Sequence, residues 1–122
     1  MEPQKFSIRS RLKSFSFALA GIRSFVIWEH NARIHLVSTI AVIIVAWFLH
    51  VSPAEAAVLT IVTGLVWITE LLNTCIERLA DLITRERNPN IKIIKDLAAG
   101  AVLIAAITAV IVGLFIFIPK II

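Results

Sequence analysis

Charge is scarce in this 122-residue sequence: Asp, Glu, Lys and Arg make up 16% of it, against about 25% in soluble domains. That scarcity excludes an intrinsically disordered chain, which stays unfolded because it is polar and charged. Cysteine is nearly absent too. Cys75 stands alone, so no intramolecular disulfide scaffold and no thiolate metal centre can form. The four glycines make no P-loop or other Gly-rich phosphate cradle. What is abundant is apolar: 59% of residues are hydrophobic and mean hydropathy is +0.93. A soluble domain this small keeps too much of its surface in water to hide that much apolar area, which excludes a soluble globular enzyme. A single-domain integral membrane protein remains.

The net charge of +4 and pI of 9.9 would invite a nucleic-acid partner in a soluble protein. Here the basic residues flank apolar runs and read as topology and anionic-lipid contact, with no nucleic acid implied. No charged residue occurs from Ile34 to Ala54 or from Leu97 to Pro119, and only Glu70 interrupts Ala56 to Ile76. Each stretch exceeds the roughly 18 residues that nominate a transmembrane helix. The Val51-Ser52-Pro53-Ala54-Glu55 turn carries no basic residue, and Pro53 suits a first helical turn. Basic residues gather before Ile34 (Lys5, Arg9, Arg11, Lys13, Arg23, Arg33) and between Glu77 and Asp96 (Arg78, Arg85, Arg87, Lys92, Lys95). The positive-inside rule then places the N-terminus and the 77–96 connection in the cytoplasm, with the hairpin and C-terminus outside; Lys120 opposes this weakly.

Ahead of the first span, Ile8, Leu12, Phe15, Leu19, Ile22 and Val26 recur every three or four residues, one apolar stripe of a helix. With Arg9, Arg11, Lys13 and Arg23 off the stripe, a helix lying in the membrane interface is expected; the alternative is a solvated helix packed on a partner. A signal peptide is not expected, since only Ser14 to Phe17 separate the basic segment from Ala18-Leu19-Ala20. Asn88-Pro89-Asn90 should break the cytoplasmic connection. Small residues every fourth position (Ala101, Ala105, Ala109, Gly113; Ala56, Thr60, Gly64) let membrane helices approach closely. The sequence thus predicts an all-α membrane protein. A surface helix spans about residues 7–30, transmembrane helices span 34–51, 54–76 and 97–119, and 77–96 is a cytoplasmic connection.

Glu70, Asn73, Glu77 and Asp81 fall within about 80° of one another on a helix turning 100° per residue. The rise per residue sets Glu70 about 10 Å deeper than Glu77. An ionisable group inside a span is expensive and marks function by default; the structural alternative is a protonated packing carboxyl. Glu29 precedes the first span, and Lys95-Asp96 lies at the level of Glu77 at the start of the third. Few hard oxygen donors suit Mg²⁺ bound together with phosphate oxygens, a lysine suits phosphate, and a deep carboxylate suits removing a proton from a hydroxyl. These groups offer phosphoryl transfer to a lipid alcohol; they also permit a small ion-coupled transporter, which equally needs an acid in a span. His30 and His35, five residues apart across a span boundary, have poor spacing for metal ligands.

The string Glu70-Leu71-Leu72-Asn73-Thr74-Cys75-Ile76-Glu77-Arg78-Leu79-Ala80-Asp81 resembles the signature of the prokaryotic diacylglycerol kinase family, E-x-x-N-[ST]-small-apolar-E-x-x-x-D. The resemblance extends to Phe17 through Ile22, Glu29 through His35 and Lys95 through Ala106. It implies a homotrimer in the bacterial plasma (inner) membrane, each chain a surface helix and three transmembrane helices, using MgATP to phosphorylate a membrane lipid alcohol at a cytoplasmic site. By position, it implies that Glu70 is the general base and Asn73 orients groups beside it. Glu29 and Glu77 hold Mg²⁺ that bridges ATP phosphates. Lys95 contacts those phosphates, and Asp96 holds the nucleotide or fixes Lys95. Asp81 is structural, and Arg9, Lys13 and Phe17 are candidate phosphate or lipid contacts of the surface helix. The Asn31–Leu36 and Asp96–Ala101 strings look more like the branch acting on undecaprenol than the branch acting on diacylglycerol. Two departures stand out: Ala20 where lysine is common, and Cys75 where Ala or Ser is usual, a change of volume beside the site.

Overall fold

The computed structural model describes residues 1–3 and 5–122. It contains four helices: α1 (Ile8–Trp28), α2 (His30–Phe48), α3 (Pro53–Ile83) and α4 (Pro89–Ile121). The described residues include no strand. The last three helices are long and apolar enough to cross a membrane.

Local chemistry sets the helix ends. Ser52 and Glu55 form a reciprocal capping box at the start of α3: Ser52 N–H donates to Glu55 Oε1 at 2.9 Å, and Glu55 N–H to Ser52 Oγ at 3.1 Å. Pro53 occupies the first turn, where its missing N–H costs nothing. Asn88 caps α4 by accepting from Asn90 N–H and Ile91 N–H, with Pro89 next in line. At the end of α2, Val51 N–H donates to Ala46 O at 3.2 Å and His50 N–H to Trp47 O at 3.3 Å. These are the two bonds of a Schellman motif. His50 takes the left-handed position with φ 52°, where glycine is usual.

Helix extends further than the apolar runs. The connection expected over 77–96 is helical for most of its length, because α3 continues to Ile83 and α4 begins at Pro89. With 31 and 33 residues, these helices are about 46 and 50 Å long, while the hydrocarbon core is about 30 Å thick. The polar ends therefore project beyond it as rigid helix. Glu77, Arg78, Asp81, Lys92, Lys95 and Asp96 all sit on such ends, which hold side chains more precisely than a loop does.

The main packing is antiparallel, α3 on α4. On α3 the buried stripe is Leu59, Val62, Val66, Glu70 and Ala80; on α4 it is Ala98 and Ala105, two members of a run of small residues. Ion pairs pin this hairpin at both ends: Lys120 Nζ to Glu55 Oε1 at 3.0 Å, and Lys95 Nζ to Asp81 Oδ1 at 2.8 Å. α2 packs on α1 and α3. The chain turns at Glu29, whose backbone is extended, and Arg33 secures the corner by donating to the C-terminal carbonyls of α1, Ile27 O at 2.5 Å and Val26 O at 3.4 Å. Phe25, the buried residue of α1, meets Trp67 of α3 edge-on at 6.0 Å between ring centroids. The stripe Ile8, Leu12, Phe15, Leu19 and Ile22 remains exposed, as an interfacial helix requires. So do most large apolar side chains of α2 and α4, the surface of a protein whose solvent is lipid.

Candidate active site

Glu70 occupies a packing position. It continues the stripe Leu59–Val62–Val66 at helical spacing and is 5% exposed. Burying a carboxylate costs several kcal/mol unless it is hydrogen-bonded. The structure supplies a partner from α2, His35, whose Nε2 lies 2.8 Å from Glu70 Oε1. A further hydrogen-bonded chain fixes the α2 backbone at that point: Trp67 Nε1–H donates to Thr39 Oγ1 at 2.9 Å, and Thr39 Oγ1–H donates to His35 O at 2.7 Å.

One turn closer to the C-terminal end of α3, Asn73 Nδ2 donates to Glu77 Oε1 at 3.3 Å. The amide's other end is unsatisfied: Asn73 Oδ1 is buried with no hydrogen-bond partner among the described residues. An orphaned acceptor of this kind calls for an explanation, such as an ion or ligand. Glu77 itself is exposed. Glu29, at the α1–α2 corner, accepts from Arg78 Nη2 at 2.7 Å, and this holds the corner against α3 just beside Glu77.

Lys95 and Asp96 do not pair with each other. Lys95 is held by Asp81 across the α3–α4 interface, and Asp96 is held by Lys92 one turn earlier on its own helix at 2.6 Å. The expected fixing of Lys95 by Asp96 is thus corrected. Adjacent residues on a helix diverge by 100°, whereas Asp81 faces Lys95 from the neighbouring helix. The Lys95 ammonium beside Asp81, with Arg85 a further positive charge, lowers the Asp81 carboxyl below the usual aspartate range. Lys95 and Asp96 line a cleft of about 660 Å³ with Arg85, Arg87 and Lys92, a lining suited to phosphate oxygens.

The fit to Mg²⁺ follows from the donor set. Among the described residues no three His, Cys, Asp or Glu side chains form a cluster that could hold a metal. An ion that takes one or two carboxylates and completes its shell with water and substrate phosphates does not need such a cluster. Carboxylates at Glu29 and Glu77 and the free carbonyl of Asn73 are hard oxygen donors of that kind. Arg9, Lys13 and Phe17 lie exposed on α1, and no side-chain hydrogen bond or ion pair brings them to the α3 face among the described residues. Cys75 is exposed, off the face of Glu70 and Glu77; the volume change expected beside the site points away from it.

His35 is the participant that ligand spacing hides. Judged as a metal ligand paired with His30 it has poor geometry; as an ionisable group one turn inside a span, it meets the same criterion that singles out Glu70. Beyond Glu70 toward the hairpin, Thr60 donates to Ala56 O on its own helix and Trp67 is satisfied by Thr39, so these polar groups are consumed within the fold. An apolar groove of about 510 Å³ starts at His35 and continues along Val42, Val66, Ala106 and Gly113.

Residues 16–117 match the family model of prokaryotic diacylglycerol kinase. The chain is 45% identical over 109 residues to the diacylglycerol kinase of Synechocystis sp., covering 88% of this chain and 62% of that relative, so it spans less than two thirds of that relative's length. It is 40% identical over 108 residues to the undecaprenol kinase of Bacillus subtilis, covering 88% of each. It is also 33% identical over 109 residues to the diacylglycerol kinase of Pseudomonas aeruginosa, covering 86% and 89%. With the signature on α3 and the match over most of the chain, this membrane protein belongs to the prokaryotic diacylglycerol kinase family, and with it to the lipid kinases.

Proposed function

We propose that this protein transfers the γ-phosphoryl group of MgATP to the hydroxyl of undecaprenol, giving undecaprenyl phosphate, as a homotrimer in the bacterial inner membrane with its site on the cytoplasmic side. The observation that carries the proposal is the buried Glu70 carboxylate, one turn from an amide oxygen left unsatisfied and two turns from Glu77. Glu70 accepts the proton of the lipid hydroxyl. The alcohol oxygen forms its bond to Pγ as the bond from Pγ to the β,γ-bridging oxygen breaks, and ADP leaves with that electron pair. Asn73 orients the reacting groups through the carbonyl that lacks a partner. Glu29 and Glu77 hold Mg²⁺, which when bound neutralises charge developing on the phosphates. Lys95, presented by Asp81 at 2.8 Å, neutralises phosphate oxygens, and Asp96 helps line the nucleotide cleft. The groove beside His35 has apolar walls suited to a lipid chain. Arg9, Lys13 and Phe17 keep the surface helix at the headgroup level.

Undecaprenol is favoured over diacylglycerol by the Asn31–Leu36 and Asp96–Ala101 strings and by the near full-length match to the Bacillus relative. A transporter finds less support, because Thr60, Trp67 and Thr69, between Glu70 and the hairpin, are hydrogen-bonded within the fold. The test is ATP-dependent phosphorylation by detergent-solubilised protein, with undecaprenol and diacylglycerol compared as acceptors. A higher kcat/KM for undecaprenol supports the assignment. The reverse order overturns the acceptor, and no lipid phosphate with either overturns the reaction.

A further inference from the structure

Glu70 can act as a base only if its carboxylate is ionised and aimed, and both conditions are hard to meet in a span. The side chain has three rotatable torsions and belongs to the buried stripe of α3. Among the described residues no lysine or arginine is bonded to it; its hydrogen-bond partner is His35, at 2.8 Å. A general base works as a carboxylate, which accepts and cannot donate, so in that form the hydrogen of the bond is carried by Nε2 of the imidazole. We propose that His35 is the positioning residue of the general base: its Nε2–H anchors Oε1 of Glu70 and leaves Oε2 directed at the incoming lipid hydroxyl. The assignment rests on the kinase function proposed above and adds to it a residue from a second helix.

The surroundings of His35 fit that role. Its backbone carbonyl is tethered through Thr39 to the indole of Trp67, which lies one turn before Glu70 on α3. Ala32, one turn before His35 on α2, is fully buried. The two helices are thus locked at the level where the dyad forms, and the imidazole needs no rearrangement to make its bond. Its side chain is 21% exposed against 7% for Glu70, and it lines the apolar groove, so the histidine stands between the groove and the more deeply buried carboxylate. A hydrogen bond to a charged group contributes about 1.5–3 kcal/mol, which corresponds to a loss of about 10- to 100-fold in kcat when it is removed.

The experiment measures kcat and KM for MgATP with the preferred lipid alcohol, and thermal unfolding in the same detergent, for wild type, His35→Ala, His35→Gln, Glu70→Gln and the double variant His35→Ala/Glu70→Gln. The glutamine at 35 can place a donor where Nε2 stands without the imidazole. The expected result is a fall of about 10- to 100-fold in kcat for His35→Ala with KM for ATP unchanged, and recovery to within about fivefold of wild type in His35→Gln. In the Glu70→Gln background, His35→Ala should cost no further activity, because the histidine acts through the carboxylate. A purely structural role would instead lower both unfolding temperature and activity in every background. Wild-type activity with His35→Ala unchanged, an equal loss in the Ala and Gln variants, or additive losses in the double variant would each overturn the positioning role while leaving the kinase intact. An inactive wild type would overturn the kinase function, and the role of His35 with it.

Discussion

Glu70→Gln should separate activity from stability, moving the two in opposite directions. The glutamine is nearly isosteric, so the packing of the buried α3 stripe survives, and its amide oxygen can still accept from His35 Nε2 across the 2.8 Å gap. What disappears is the charge that the proposed base carries, at a position only 5% exposed. The penalty for burying one ion is several kcal/mol before compensation, and a single neutral donor offsets it only in part, at about 1.5–3 kcal/mol. Removing the charge should therefore leave stability unchanged or raise it by about 1–2 kcal/mol. The same change removes the carboxylate to which the proposed mechanism gives the hydroxyl proton, and loss of a general base lowers kcat by about 10²- to 10⁴-fold. Thermal unfolding in detergent and initial rates of lipid phosphate formation, measured on the same preparation, read both quantities. A variant that loses stability together with activity would show that Glu70 is a packing carboxyl. A variant with full activity would remove its role as base.

Three further outcomes follow from the ends and corners of the helices. Because the Asp81 carboxyl is held low by Lys95 and then by Arg85, its contribution to stability is complete above the unfolded value of 3.8 and is lost as pH falls through the lower folded value. Asp81→Asn should flatten the acid limb of an unfolding-temperature profile below about pH 4 and raise KM for ATP by freeing Lys95; an unchanged limb would argue against the pairing. His50→Gly relieves a left-handed backbone that costs roughly 1–2 kcal/mol for a residue with a Cβ, partly offset by the greater freedom of the unfolded glycine chain, so the net gain should be about 0.5 kcal/mol; a loss of unfolding temperature would contradict the motif. Phe25→Ala removes the edge-on contact with Trp67 and should release α1, destabilising by about 3 kcal/mol and shifting tryptophan emission; unchanged emission would mean α1 is held elsewhere.

Much of this architecture was legible because charge is so scarce. The three apolar runs, the Pro53 and Pro89 starts and the shared face of Glu70, Asn73 and Glu77 follow from spacing alone. Hydropathy marks where lipid begins and ends and says nothing of where helix does; α3 and α4 therefore run past their apolar cores, held by the Ser52 and Asn88 caps and the Asp81–Lys95 pair. Pairing between helices is the second thing that spacing does not reveal. Asp96 sits next to Lys95 in the chain but a third of a turn away in space, whereas Asp81 reaches it from another helix. The pairing of His35 is hidden in the sequence because its partner lies thirty-five positions away and its meaning depends on which way α2 is rotated. The unsatisfied Asn73 carbonyl is invisible without coordinates, since any asparagine can be satisfied by some rotation of its neighbours.

The two ion pairs that close the α3–α4 hairpin also act as a depth gauge. Glu55 and Asp81 are separated by about 39 Å of helix, close to the span of a bilayer with its headgroup layers, about 40–45 Å. Each pair is therefore at home in a headgroup layer, and the hairpin resists moving up or down between them. Glu70 is then fixed about 16 Å below Asp81, beneath the headgroups on that side. An acceptor lipid must bring its hydroxyl to that level, so the membrane's thickness becomes a parameter of the reaction. In thin bilayers the hydroxyl and the carboxylate meet at a different height than in thick ones. Turnover should pass through a maximum as the acyl chains of the host lipid are lengthened, with the chemistry of the acceptor left unchanged.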